Sequence, residues 1–171
     1  MVAPAKLAHV VLKTGRLEEM INWYAEVLDG RPVFTNEMLG FMTYDDEHHR
    51  VAFLGVGSSV TPGMEHTGLE HFAFTYEKLG DLVDNYKRLK GKGIEPVWVI
   101  NHGMTVSMYY ADPDGNRVEL QIDNFPDAES TQAYLLSDEF QKNPIGVEFD
   151  PDDFVTRFEA GEPESELTKR P

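Results

Sequence analysis

Residues 69–76 read LEHFAFTY and residues 5–12 read AKLAHVVL, and each stretch predicts a strand with one histidine among apolar neighbours. An amphipathic helix should follow each strand. The first is RLEEMINWYAEVLD (16–29), with Leu17, Met20, Ile21, Tyr24 and Leu28 at helical spacing. The second is KLGDLVDNYKRLKG (78–91). Gly30 stands at the expected C-cap of the first helix, and Pro32 blocks its continuation. Three extended segments come next in each half: 32–37, 39–45 and 50–56, then about 95–100, 104–111 and 117–123.

The two halves are one pattern written twice. An offset of 62 places His71 on His9, Leu79 on Leu17 and Tyr86 on Tyr24. In the last strand the offset is 67, so Arg117-Val118 falls on Arg50-Val51. An internal repeat constrains architecture more than any single segment does. The expected fold is α+β, with two βαβββ modules at about 5–60 and 67–125 within a domain spanning 1–125. A sheet covered by one helix leaves its other face bare. Two such modules are expected to pair into a half-open barrel around a cleft.

Residues 126–171 form an acidic C-terminal extension with 12 acidic and 4 basic side chains. Its charge reads as a solvated surface that aids solubility. Residues 131–141 predict a helix, and a second short helix should start near Pro151, capped by Asp150 or Asp152. Tyr134, Leu135, Leu136, Ile145, Val147 and Phe149 should pack the extension on the domain, with SELTKRP at its end loose.

Bulk composition narrows the function classes. The net charge of −15 leaves no basic footprint for a nucleic acid. No run of about 18 apolar residues predicts a membrane span, and the first residues are too weakly apolar for a signal peptide. With no cysteine there is no disulfide and no thiolate metal site, which fits a reducing cytoplasm.

The repeat also points to a metal. His9 and His71 hold matched positions in the first strands, so pseudo-symmetry aims both imidazoles at one point. Glu119 lies in RVELQI between Val118, Leu120 and Ile122. A carboxylate in so apolar a strand needs a partner, and a divalent cation supplies one. Two histidines and one carboxylate are the donor set of the facial triad, which leaves coordination positions open. The counterpart of Glu119 is Ala52, which binds no metal and keeps that side open. Zinc accepts the same donors, so the ligands alone do not choose the ion.

Residues 102–119, HGMTVSMYYADPDGNRVE, resemble the signature of type I extradiol ring-cleavage dioxygenases of the vicinal oxygen chelate superfamily, and the chain looks like a single-domain member of that group. Its fixed points fall on His102, Met108, Tyr109, Asp112, Pro113, Gly115 and Glu119. EHHRVAF (47–53) and LEHFAF (69–74) extend the resemblance, as do NPIGVEFDPDD and AGEPE in the extension. The resemblance implies O2-dependent cleavage of a catechol, alkyl- or aryl-substituted catechols included. It implies Fe(II), or Mn(II), held by His9, His71 and Glu119.

By the same resemblance His49 is the acid–base group, and His102 and Tyr109 bind the substrate oxygens. Asn101 or a nearby carbonyl orients His102. Phe41 lines the ring pocket, and Ala52 leaves room there. Strict alternation from Ala52 aims His48 and Arg50 at the cleft instead, and a turn or bulge ahead of the strand is needed to aim His49 inward; His48 is the runner-up. His66 reads as a surface-loop residue rather than a ligand. The expected partners are a small aromatic diol, O2 and further copies of this chain in a homo-oligomer. The alternatives are another metalloenzyme of the superfamily, such as a glyoxalase-like isomerase or an epimerase, and a non-catalytic binder.

Overall fold

The computed structural model describes residues 2–58, 60 and 67–171; His66 lies outside them. The described chain falls into two compact units. One holds the residues up to Gly68 together with Asp112–Asn116, and the other holds Leu69–Ala111 and Arg117–Pro171.

In the first unit, strand β1 (Val10–Thr14) leads into helix α1 (Leu17–Val27), followed by β2 (Arg31–Thr35), β3 (Leu39–Thr43) and β4 (Val51–Gly55). The sheet order is β1-β4-β3-β2. β1 and β4 run parallel, and the other pairs are antiparallel. Met20, Ile21, Tyr24 and Val27 form the buried stripe of α1. Burying each side chain is worth about 1.5–3 kcal/mol. Gly40 on β3 lets the helix approach, because a Cβ there would stand 2.8 Å from Ile21 Cγ1.

The helix stop differs from the expected one. Asp29, not Gly30, takes the left-handed conformation, with φ 48°. Asp29 N–H donates to Glu26 O (3.3 Å) and Gly30 N–H to Ala25 O (2.9 Å), the Schellman pattern. Aspartate tolerates that conformation. Gly30 is needed for a different reason: a Cβ there would come within 2.9 Å of Thr43 O.

The turn of residues 112–116 belongs to this unit. Asp112 is buried and accepts from Tyr24 Oη (2.9 Å), Asp114 N (2.9 Å), Asn116 N (2.8 Å) and Asn116 Nδ2 (2.8 Å). Arg16 Nε stands 3.0 Å from Asp114.

The second unit repeats the order with β5 (His71–Tyr76), α2 (Leu79–Lys90), β6 (Trp98–Asn101), β7 (Thr105–Ala111) and β8 (Arg117–Asp123). α3 (Ala128–Leu135), α4 (Asp138–Lys142), β9 (Val147–Glu148), α5 (Pro151–Glu159) and α6 (Glu164–Leu167) follow. The order β5-β8-β7-β6-β9 shows that the extension adds a fifth strand. Each unit is therefore mixed α and β with one open sheet, and each repeats the βαβββ order read from the sequence.

Two expectations for the extension need correction. The helix expected over 131–141 is two helices, because Ser137 caps α4 by accepting from Phe140 N (3.2 Å). The end expected to be loose is tied down. Leu167 is buried, Thr168 O accepts from Asn101 Nδ2 (2.9 Å) and Asn124 Nδ2 (3.2 Å), and Arg170 Nη1 donates to Tyr134 Oη (2.8 Å). Asp150 caps α5, as expected, by accepting from Asp152 N at 2.8 Å. Among the described residues no helix is long and apolar enough to cross a membrane.

Candidate active site

In the second unit Glu119 on β8 pairs with Ala73 on β5 and with Tyr109 on β7. His71 lies two residues before Ala73, so strand alternation puts it on the same face as Glu119. Its Nε2 stands 2.9 Å from Glu119 Oε2, a carboxylate only about 6 % exposed. Glu70 meets the other ring nitrogen, Nδ1, and is itself held by Arg117 Nη1 at 2.7 Å. When Nδ1–H donates to Glu70, Nε2 turns a lone pair toward Glu119. Two acceptors face to face in a buried place need a proton or a cation between them. The donor types, imidazole and carboxylate, suit a divalent metal, so these residues fit such an ion.

Tyr109 stands beside this pair. Its ring meets His71 edge-on at 5.2 Å and packs on Trp98 at 4.8 Å. Burial, and then the negative charge of Glu119, push the Tyr109 hydroxyl far above the usual tyrosine range. The hydroxyl therefore stays neutral and remains a donor. It lies 3.0 Å from His102 Nε2, while His102 Nδ1 meets the carbonyl of Ile145. His71, Glu119, Tyr109, His102, Trp98 and Ile145 line one cleft of about 420 Å³. That volume lies within the usual range for small-molecule sites.

In the first unit the strand expected over 5–12 starts later, since β1 is Val10–Thr14, and His9 directly precedes it instead of lying within it. Ala52 pairs with Val11 on one side and Phe41 on the other, the places that Ala73 and Tyr109 hold around Glu119. The His49 ring stacks on Phe41 at 4.7 Å and 14°, and it lies 4.4 Å from the His9 ring. Burial, then the neighbouring His9 and His48, hold the His49 pKa below the ordinary histidine value. His48 Nδ1 is 2.6 Å from His49 Nδ1, but the His48 side chain is 67 % exposed beside Glu47.

Alternation does not decide between these two histidines, because β4 begins only at Val51. Asp45 shapes the turn ahead of it. Its carboxylate accepts from Arg50 Nη2 (2.9 Å) and Glu47 N (3.0 Å), and Arg50 Nη1 donates to Leu7 O (3.0 Å). Arg50 is thus fixed as a structural residue, and His49 takes the place against Phe41.

The predicted residues thus gather in two sets, His71, Glu119, Tyr109 and His102 in one unit and His9, His49, Phe41 and Ala52 in the other. Within neither unit, among the described residues, are three His, Asp or Glu side chains gathered into one metal-sized group. The carbonyl that meets the His102 ring is that of Ile145, and the Asn101 side chain is engaged elsewhere, its Nδ2 donating to Thr168 O at 2.9 Å. It steadies the loop by accepting from Gly103 N at 2.8 Å. Sequence reasoning missed Glu70, Trp98 and Ile145. Glu70 had a signal, an acid directly before His71, whereas Trp98 and Ile145 reach the cleft only through the folding of the sheet and extension.

Comparison with known proteins gives a consistent picture. Residues 6–120 match the family described as the Glyoxalase/Bleomycin resistance protein/Dioxygenase superfamily. Biphenyl-2,3-diol 1,2-dioxygenase 2 of Rhodococcus globerulus is 48 % identical over 98 % of this chain and 89 % of its own length. Biphenyl-2,3-diol 1,2-dioxygenase 3 of the same organism is 47 % identical over 99 % of this chain and 90 % of its own. A glyoxylase/bleomycin resistance protein/dioxygenase domain from Frankia sp. EAN1pec shares the fold. Its crystal structure has a TM-score of 0.60 at 18 % identity, covering 71 % of this chain and 93 % of that one.

Proposed function

Because the chain belongs to the Glyoxalase/Bleomycin resistance protein/Dioxygenase superfamily, we propose that it is an extradiol dioxygenase that opens a catechol ring with O2. One observation carries the reading: the facing acceptors His71 Nε2 and Glu119 Oε2, 2.9 Å apart, share a cleft with Tyr109 and His102. The relatives named for biphenyl-2,3-diol make that diol the first substrate to try.

His71, Glu119 and His9 are the proposed holders of Fe(II), with Mn(II) as the second choice. Ferrous iron supplies Lewis acidity that lowers a phenol pKa and a reducing centre for O2. The remaining work falls to the chain's own groups. The Tyr109 hydroxyl and His102 Nε2, 3.0 Å apart, hydrogen-bond the oxygens of a diol. The Trp98 ring provides flat apolar surface in the His71–Glu119 cleft, and Phe41 keeps its proposed place as a lining residue of the ring pocket. His49, whose pKa is held below the ordinary histidine value by burial and by the neighbouring His9 and His48, is the proposed group that accepts and returns a proton. With no cysteine to oxidise, loss of activity in air reports on the iron, and a reducing cytoplasm suits such a site.

The test loads the protein anaerobically with Fe(II), Mn(II), Zn(II) or Ni(II) and adds biphenyl-2,3-diol and simpler catechols. O2 consumption with growth of a yellow conjugated product is expected with Fe(II). If no catechol consumes O2, the dioxygenase reading fails. Activity on other substrates that follows Zn(II) or Ni(II) would favour an isomerase. His9→Ala, His71→Ala and Glu119→Ala should each lose metal while keeping the circular dichroism of the fold. Full metal occupancy in these variants would overturn the ligand assignment.

A further inference from the structure

The loop that carries His102 joins β6 to β7 through Gly103, whose φ is +88°. Its backbone is tied by His102 N–H to Thr105 O (2.9 Å), by Gly103 N–H to Asn101 Oδ1 (2.8 Å) and by Asn124, which donates to Gly103 O (2.9 Å) and Met104 O (2.9 Å), but none of these bonds reaches the His102 ring. The C-terminal extension grips it at three points. Thr168 O holds Asn101 Nδ2. The Tyr134 ring covers Gly103 so closely that a Cβ there would come within 2.7 Å of Tyr134 Cε1. The carbonyl of Ile145 meets His102 Nδ1.

The third contact has a chemical consequence. A carbonyl oxygen has no proton to give, so His102 Nδ1 must carry one and donate it. A neutral imidazole has a single N–H, so Nε2 is then bare and can only accept. Nε2 is the atom 3.0 Å from the Tyr109 hydroxyl. We propose that the C-terminal extension, through the strap Asn143–Gly146, holds neutral His102 as its Nδ1–H tautomer, so that it meets a substrate hydroxyl as a proton acceptor. The extension is then part of the site rather than an acidic appendage. The substrate contact rests on the dioxygenase reading, whereas the tautomer does not.

The strap is built to present that carbonyl. Asn143 Oδ1 accepts from Ile145 N (3.2 Å) and Gly146 N (2.9 Å), and Asn143 Nδ2 donates to Gly146 O (2.8 Å). Gly146 has φ +120°, and a Cβ on it would stand 2.9 Å from His102 Cα. The strap therefore lies directly against the His102 backbone. Val147 then pairs with Asn101 in the sheet. The Ile145 side chain is exposed, so these backbone contacts, not burial of Ile145, set where its carbonyl points. Asn143 is a positioning residue: it acts on His102 through the Ile145 carbonyl.

The test is long-range ¹H–¹⁵N correlation spectroscopy on the ¹⁵N-labelled full chain loaded with diamagnetic Zn(II), which accepts the same donors. The His102 signals are assigned by their loss in His102→Gln. The expected spectrum shows Nδ1 protonated and Nε2 unprotonated. Asn143→Ala should mix the tautomers or invert them. Asn143→Asp keeps the Oδ1 acceptor for both N–H groups but loses the Nδ2–H given to Gly146 O, so it should shift the tautomer less than Asn143→Ala does. Wild-type protein with Nε2 protonated would overturn the proposal, even if the alanine variant failed to fold. An unchanged tautomer in folded Asn143→Ala would also overturn it. No diol is present in this measurement. The expected tautomer in a protein inert to every catechol supports the strap and sinks only the dioxygenase reading.

Discussion

His49→Phe separates proton transfer from the packing that His49 provides. The imidazole stacks on Phe41 at 4.7 Å and lies 4.4 Å from the His9 ring. Phenylalanine keeps a flat ring there and removes both nitrogens. The substitution breaks the hydrogen bond to His48 Nδ1, and His48 is 67 % exposed and free to turn to water. A replaceable hydrogen bond of that kind is worth about 1 kcal/mol or less. The fold and the affinity for metal and diol should therefore persist. Loss of a general acid–base group costs about 10²–10⁴ in rate. At about 1.36 kcal/mol per decade, that adds about 2.7–5.4 kcal/mol to the barrier. His48→Gln should change the rate by no more than a few fold. The assay is the initial rate of O2 uptake by Fe(II)-loaded protein with biphenyl-2,3-diol, alongside anaerobic titration of diol binding. If His49→Phe keeps more than a tenth of the wild-type rate, the role of His49 is refuted. If His48→Gln alone is inactive, the role passes to His48.

Glu70→Gln weakens the hold on His71 Nδ1, and metal affinity in a competition titration should fall about 10–100-fold, the usual cost of losing an orienting carboxylate; unchanged affinity would refute the orienting role. Asp112→Ala removes four hydrogen bonds from a buried turn, so stability should drop by about 3–5 kcal/mol. At about 2–4 °C per kcal/mol for a chain of this size, the Tm should fall by roughly 6–20 °C; a shift under about 3 °C would contradict the network. The hydrogen bond from Arg50 holds the Asp45 carboxyl down at about 2. A depressed carboxyl pKa adds stability that is present above the unfolded value and lost as pH falls through the folded one. Asp45→Asn should thus have a lower urea midpoint than wild type at neutral pH, and the gap should close between about pH 4 and 2; a gap that widens in acid reverses the sign and refutes it. We propose that the chain forms a homodimer or larger homo-oligomer, so light scattering should give a mass above that of one chain, and a monomeric mass at working concentration would remove the proposal.

The repeat was legible because it is written in local signals. Histidine in an apolar strand, a helical stripe of Leu, Ile and Tyr, and an acid inside RVELQI all lie within short windows. The offsets of 62 and 67 then matched the halves, so the equivalence of His9 with His71 and of Ala52 with Glu119 follows from letters alone. Two antiparallel ladders turn that equivalence into register, Phe41 on Ala52 and Tyr109 on Glu119. Three-dimensional placement decided the rest. The turn set by Asp45 interrupts the alternation that favours His48, because a carboxylate bound to Arg50 and to the backbone N–H of Glu47 outweighs strand continuation. Asp29 took the left-handed position beside a glycine needed for close packing. The orientation of His102 depends on Ile145, 43 residues away, and the loop beneath it on Thr168, 67 residues from Asn101. No local pattern encodes such pairs. A backbone carbonyl is the same atom at every position, and only the path of the folded chain selects which one reaches the histidine.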